Sequence, residues 1–349
     1  MTIAQEIDMT KKDSGTQIIV DVHNLSKSFD GKIKAVDDVS FNVKDGEIFA
    51  FLGPNGAGKT TTINMLTTLL KPTSGTATVC GYDILKDSNE VRRNIGVVPQ
   101  EYTADEELTG YENIMLCADL YGIPRSVSKE RAEELLKLVE LEAAKKRKVD
   151  TYSGGMRRRL ELACGLINHP RLLFLDEPTL GLDVQTRTAV WEYIRKLKDE
   201  FGMTLFMTTH YLEEADSLCD TIAIIDNGKI ITIGTPKGLK DNLGGDIIEL
   251  GIVETDQDLS ESISKVSKVK EVKQVTPGEY RIKAECGEEV APLIIDEIRT
   301  KGYHVNRISL TKPTLDQVYL ELTGKSLREE NVDKMQVRMQ SRTMRTARS

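Results

Sequence analysis

Apolar and polar positions along the 349-residue chain follow two rhythms that trade places several times. From Ile18 to about Val79 short β-rich runs dominate: IIVDV, AVDDVSFNV and EIFAFLG. TTTINMLTTLL follows with helical spacing, and a turn is expected over Lys71–Gly75. Residues 101–150 are rich in Glu, Lys, Leu and Ala, and SKERAEELLKLVELEAAKK carries the period of an amphipathic helix. Residues 101–165 are therefore predicted to form an inserted helical subdomain. Beyond it come the apolar runs RLLFLD, MTLFMTTH and TIAIID, separated by the helical stretches VQTRTAVWEYIRKLKDE and YLEEADSLC. That alternation predicts a parallel sheet covered on both faces.

A second domain is expected after the Gly/Lys/Asn-rich stretch PKGLKDNLGG, with the boundary set at 240/241. It contains strand (DIIELGIVE), helix (DLSESISKVSK), two strands around Pro277–Gly278, helix (EEVAPLIIDEIRTKG) and strand (YHVNRISL). This βαββαβ order predicts a small α+β, ferredoxin-like domain over residues 241–324, closed by the helix TLDQVYLELTG. Residues 1–17 are polar and expected to be flexible, and residues 325–349 form a basic tail. Lys334, Arg338, Arg342, Arg345 and Arg348 lie three or four apart, so a helix would align them toward anionic lipid or an acidic partner. A disordered tail is the plainer reading. No internal repeat is present.

Composition adds mainly exclusions. A content of 39% apolar and 29% charged residues suits a globular protein of two domains. The net charge of −8 argues against nucleic acid as a partner. Cys80, Cys117, Cys164, Cys219 and Cys286 have no metal-like spacing and are expected as reduced thiols. The sequence MTIAQEIDMTKKDSGTQ has no apolar core of signal-peptide length, and no run approaches the roughly 20 apolar residues that span a bilayer.

The chemistry starts at FLGPNGAGKTT, which fits GxxxxGK[ST] between a predicted strand and a predicted helix. Such a match arises by chance in roughly one chain in a hundred of this length. Gly53, Gly56 and Gly58 let the backbone through Pro54, Asn55 and Ala57 curl so that its N–H groups point inward at phosphates. Lys59 brings a charge to the β/γ oxygens and Thr60 a hydroxyl for Mg²⁺, and Thr61 beside it is expected among the nucleotide-binding residues. LLFLDEP then ends an apolar strand with Asp176, suited to hold Mg²⁺, and Glu177, suited to act as general base. A third element, YSGGMRRRLELA, places Ser153, Gly154 and Gly155 at a helix start, where free amides and the dipole favour an anion. A capped helix without ligand is its plainer reading, and most of Arg157–Arg159 is expected on a solvated face.

Together these motifs resemble the ATP-binding subunits of ABC transporters, over about residues 18–240. Gln100 in VVPQ resembles the family's Q-loop, Ser153–Gly155 its signature, Gly181–Asp183 its D-loop and His210 its switch histidine; Phe29 falls where an aromatic ring meets adenine. The resemblance implies a P-loop cassette that binds ATP and Mg²⁺, with Asp176, Thr60 and Gln100 serving the metal. It implies catalytic roles for Glu177, His210 and Gln100, and a head-to-tail homodimer in which the signature segment and Asp183 of one subunit complete the partner's site. Met156 departs from the family's pattern, standing where the usual signature has a glutamine.

The ending PTLDQVYLELTG is similar to the C-terminal extension of the drug- and sodium-export branch, which pairs with separate ABC-2 type membrane subunits. A peripheral protein on the cytoplasmic face of the membrane is implied, its cargo chosen by the permease. A soluble ABC-type ATPase working on ribosomes or nucleic acid is the alternative, though one cassette without long coiled coils fits it poorly. A GTPase or small-molecule kinase lacks an NKxD motif and leaves SGG unexplained. His23, His169 and His304 receive no role, and Trp191 is expected to pack.

Overall fold

The computed structural model describes residues 17–30, 33–243, 245–253, 257–325 and 327, in two compact units divided between Ile233 and Gly234. The expectations for residues 1–16 and for the basic positions Lys334, Arg338, Arg342, Arg345 and Arg348 fall outside the described residues.

The described residues of the first unit carry ten strands: β1 (Ile18–Phe29), β2 (Ile33–Lys44), β3 (Ile48–Leu52), β4 (Ser74–Val79), β5 (Tyr82–Asp83), β6 (Ile95–Val98), β7 (Leu172–Asp176), β8 (Thr204–Thr209), β9 (Thr221–Asp226) and β10 (Lys229–Gly234). Its helices are α1 (Lys59–Leu66), α2 (Ser88–Asn94), α3 (Gly110–Leu120), α4 (Arg125–Leu138), α5 (Gly154–Leu166), α6 (Val184–Phe201) and α7 (Leu212–Leu218). Six strands make one sheet in the order β10-β9-β3-β8-β7-β6, in which the β9-β3, β3-β8, β8-β7 and β7-β6 pairs are parallel. Every residue of β3, β7 and β8 is buried, the mark of central strands covered on both faces.

The apolar pattern alone does not separate out a second sheet, antiparallel, in the order β2-β1-β4-β5. Its strand β4 begins at Ser74, inside the stretch expected to be a turn. Phe41 of β2 reaches across to the parallel sheet, with ring centroids 5.4 Å from Phe49, 5.0 Å from Phe51 and 5.9 Å from Phe206. This aromatic cluster joins the two sheets into one core.

The helical insert is present but broken. The long helix expected through 128–146 stops at Leu138, because Glu140 takes a left-handed φ of +56°, and a single 3₁₀ turn follows at Glu142–Ala144. Thr109 and Glu112 form a capping box that starts α3.

In the second unit, α8 (Pro236–Asp241) packs with the last helix rather than serving as a linker, and Leu239 is buried. The unit boundary therefore lies seven residues before the expected 240/241. The remaining elements are β11 (Asp246–Val253), α9 (Ser260–Ser264), β12 (Val269–Thr276), β13 (Glu279–Ala284), α10 (Gly287–Thr300), β14 (His304–Thr311) and α11 (Leu315–Thr323). Four antiparallel strands lie in the order β12-β13-β11-β14. Ile248, Leu250, Ile252, Tyr280 and Ile282 of the sheet pack with Val290, Ile294 and Ile298, which line one face of α10 at four-residue spacing.

Candidate functional site

The site stands at the carboxyl ends of β3, β7 and β8. After β3 the loop 53–58 curls back and hands over to α1 at Gly58, whose φ is +102°. A Cβ there would lie 2.4 Å from the Ala35 carbonyl oxygen, so this position admits only glycine. On its other flank the turn between β9 and β10 closes on the loop. The Gly228 amide donates to the Ala57 carbonyl at 3.0 Å, and its carbonyl accepts from Asp37 N at 2.8 Å. Asn55 and Gly56 form the exposed tip, Gly53 and Pro54 are buried, and Ala57 N donates to Pro54 O at 3.2 Å.

Lys59 is buried and donates to the carbonyls of Gly53 at 2.8 Å and Pro54 at 3.1 Å. Its charge partner is Glu177, with Nζ 3.0 Å from Oε1. Glu177 leaves β7 with a left-handed φ of +48°, a strain of order 1–3 kcal/mol that the surroundings must hold in place. They do so at three points. Its amide donates to Thr208 Oγ1 at 3.0 Å, its carbonyl accepts from Arg158 Nη2 at 3.2 Å, and its Oε2 lies 2.6 Å from His210 Nδ1. Thr208 Oγ1 also donates to Asp176 Oδ1 at 2.5 Å, and the Thr60 hydroxyl bonds Asp176 as well.

The two carboxylates diverge in acidity. Burial pushes the Asp176 carboxyl up, against the pull of the Thr208 and Thr60 hydrogen bonds. Burial also acts upward on Glu177, but the His210 hydrogen bond and the Lys59 charge outweigh it and hold Glu177 below its ordinary range. Glu177 is thus an ionised carboxylate aimed by a histidine. The loop, a lysine, a helix N-terminus with its open amides, and a hydroxyl beside a carboxylate form a donor set that fits the phosphates of a nucleotide.

The structure brings Lys59, Thr60, Asp176, Glu177 and His210 together. The other expected residues sit around them. Gln100 follows β6 with an exposed side chain, and its carbonyl accepts from Arg158 Nη2 at 3.2 Å. Phe29 ends β1, 41% exposed, with Lys27 Nζ 5.3 Å from the ring centroid. Ser153 caps α5 by accepting from Met156 N at 3.3 Å, Gly154 O accepts from Tyr102 Oη at 3.3 Å, and Gly155 lies against Thr186. Asp183 caps α6, accepting from the Thr186 amide at 2.9 Å and hydroxyl at 2.7 Å.

Arg157–Arg159 do not form a solvated face. Arg158 is 1% exposed, Arg157 pairs with Glu106, and Arg159 donates to Val139 O at 3.1 Å. The helical period already held this signal: Arg158 and Glu161 fall on the same stripe as Leu162 and Gly165, which face the core. Trp191 packs as expected and also donates its indole N–H to Glu214 Oε1 at 3.0 Å, which accepts from Thr179 Oγ1 at 2.8 Å.

Residues 36–180 match the ABC transporter family, and residues 234–323 match the C-terminal domain of DrrA1-3-like ATP-binding proteins. A doxorubicin resistance ATP-binding protein of Mycobacterium tuberculosis is 41% identical over 312 residues, covering 86% of this chain and 92% of its own length. The chain belongs to the ATP-binding subunits of ABC transporters. The linearmycin resistance ATP-binding protein of Bacillus subtilis is 39% identical, with 89% of this chain and 100% of the relative covered. A Nod factor export ATP-binding protein of Sinorhizobium fredii is 37% identical, with 90% and 89% covered. Among solved structures, an ABC transporter component from Clostridium perfringens superposes with a TM-score of 0.59 at 28% identity, covering 64% of this chain and 90% of its own. A dimeric ATP-binding cassette holding ADP and Pi gives 0.57 at 30% identity, covering 62% of this chain and 98% of its own. The chain is therefore an ABC transporter ATPase.

Proposed function

We propose that this cassette powers an exporter by closing as a head-to-tail homodimer on Mg-ATP and reopening after hydrolysis. The observation that carries the reading is the Lys59–Glu177–His210 cluster, in which one buried carboxylate lies between the buried cradle lysine and the strand-end histidine. Bound Mg-ATP supplies the phosphoanhydride and the metal's charge. Lys59 and the first-turn amides of α1 would hold the phosphates, Phe29 would face the adenine, and Thr60, Asp176 and Gln100 would hold Mg²⁺. Glu177 accepts the proton of the attacking water, and the His210 hydrogen bond fixes which way its carboxylate points. Ser153, Gly154, Gly155 and Asp183 serve the partner subunit's nucleotide, as the open start of α5 suits an anion. The relatives named for drug resistance and Nod factor export support export as the direction. No helix among the described residues is long and apolar enough to cross a membrane, so the reading assigns the path to a separate ABC-2 type permease, with the cassette on its cytoplasmic side.

The second unit is read as ferredoxin-like. Numbered within the unit, its strands run 4-1-3-2 and all neighbours are antiparallel, the order a split βαβ pair produces. The deciding experiment is Glu177→Gln in the full chain. ATP-driven dimerisation, followed by gel filtration, persists while turnover falls at least about a hundredfold. Hydrolysis at the parent rate refutes the assignment of the base.

A further inference from the structure

Arg158 and Glu161 lie on α5, 1% and 2% exposed. Burying a guanidinium and a carboxylate is costly, and an apolar pair would fill the same space at least as well. What sets these two apart is where their bonds go. Arg158 Nη1 donates to Pro99 O at 2.7 Å, while Nη2 donates to Gln100 O and to Glu177 O, each at 3.2 Å. The guanidinium lies 5.6 Å from the Tyr102 ring centroid. One turn further, Glu161 Oε1 accepts from Thr103 N at 2.6 Å and Ala104 N at 2.8 Å, and Oε2 accepts from Thr103 Oγ1 at 2.8 Å. Residues 99–104 are thus gripped at both ends by side chains at i and i+3 of one helix.

We propose that Arg158 and Glu161 are positioning residues that clamp the Gln100 segment and the Glu177 peptide to the helix opened by Ser153–Gly155. A displacement of that helix is then carried to the backbone of Gln100 and of Glu177 without any change in the nucleotide cradle. The Arg158 contacts are to main chain, so substitutions of Gln100 or Glu177 leave them intact, whereas removing the guanidinium takes a donor from three carbonyls at once, of which Glu177 O keeps the Leu180 amide at 3.1 Å. The left-handed bend at Glu177 makes its carbonyl a sensitive handle, since tilting that peptide turns the carboxylate. The inference rests on the reading of Glu177 as base and of Gln100 as a metal or water ligand.

The test uses the full chain with Arg158→Gln, Arg158→Lys, Glu161→Gln and the Arg158→Gln/Glu161→Gln double variant. ATP Kd is read from the fluorescence of Trp191, the only tryptophan, alongside kcat and Tm. Arg158→Gln lowers kcat about tenfold with Kd within about twofold, and Arg158→Lys regains part of the loss, since ammonium donates but lacks the fork. Glu161→Gln lowers kcat less, and the double variant is no slower than Arg158→Gln, because both grips act on one segment. Parent kcat in Arg158→Gln overturns the clamp, and so does a parallel loss of kcat, ATP affinity and Tm in all variants. If Arg158→Gln does not fold, parent kcat in both Arg158→Lys and Glu161→Gln overturns it. Glu177→Gln, assayed alongside, separates the two ideas: its activity sinks the base assignment, whereas its inactivity beside a fully active Arg158→Gln sinks the clamp alone.

Discussion

Gly155 meets two demands that a single pair of substitutions can pull apart. A Cβ on this residue would stand 2.5 Å from Thr186 Cγ2, about 1 Å inside the optimal separation of two carbons. The threonine methyl has little room to swing away. Its branched side chain is stiff at χ1, and its hydroxyl and amide are both bound to Asp183. Overpacking of this kind costs about 1–3 kcal/mol, against which alanine's better helix propensity returns at most about 1 kcal/mol. Gly155→Ala should therefore destabilise the first unit by about 1–2 kcal/mol. Thr186→Ser deletes the methyl and keeps the hydroxyl that bonds Asp183. In that background the same Gly155→Ala should be neutral, or stabilising by up to about 1 kcal/mol. Urea unfolding followed by Trp191 fluorescence reads the difference on the same helix that carries Thr186. Equal effects in the two backgrounds, within about 0.3–0.5 kcal/mol, would refute the steric argument. The well-folded double variant should still hydrolyse ATP slowly if the glycine also faces the partner's phosphate.

Two further outcomes follow from the core. Phe206 lies within 5.9 Å, centroid to centroid, of Phe41, Phe49, Phe51 and Phe174, so Phe206→Ala should cost about 3–5 kcal/mol, measurable by thermal or urea unfolding. Burial raises the Glu214 carboxyl, so across the window above the ordinary carboxylate range the folded protein keeps a proton that the unfolded chain has released. Stability should fall with rising pH there, and Glu214→Gln should flatten that slope; an unchanged slope would show that Glu214 is not its source.

The sequence carried the cassette further than its details. The cradle, the strand-ending carboxylates and His210 were legible because each motif sits at the end of an apolar run, and such runs become central strands. The antiparallel sheet was not, since the runs in β1 and β2 have the same β-rich look as parallel strands, and the layering shows in Phe41's reach across to Phe49, Phe51 and Phe206. Charge misled at Arg158: three consecutive arginines suggest solvent, yet the middle one lies on the buried stripe of α5. Composition misled at residues 236–241, where Gly and Lys suggest a linker, but Thr235 caps a helix that begins with Pro236 and buries Leu239. The Lys59–Glu177 pair could not be read at all from the chain, because its members are far apart in sequence and meet only when β3 and β7 flank β8.

The bond between Gly228 and Ala57 ties the phosphate loop to a turn made much later in synthesis. A chain still emerging from the ribosome cannot give that loop its final shape until residue 228 has cleared the exit tunnel. A fragment truncated at Asp226 would keep every residue of the lysine loop and lose the brace behind it.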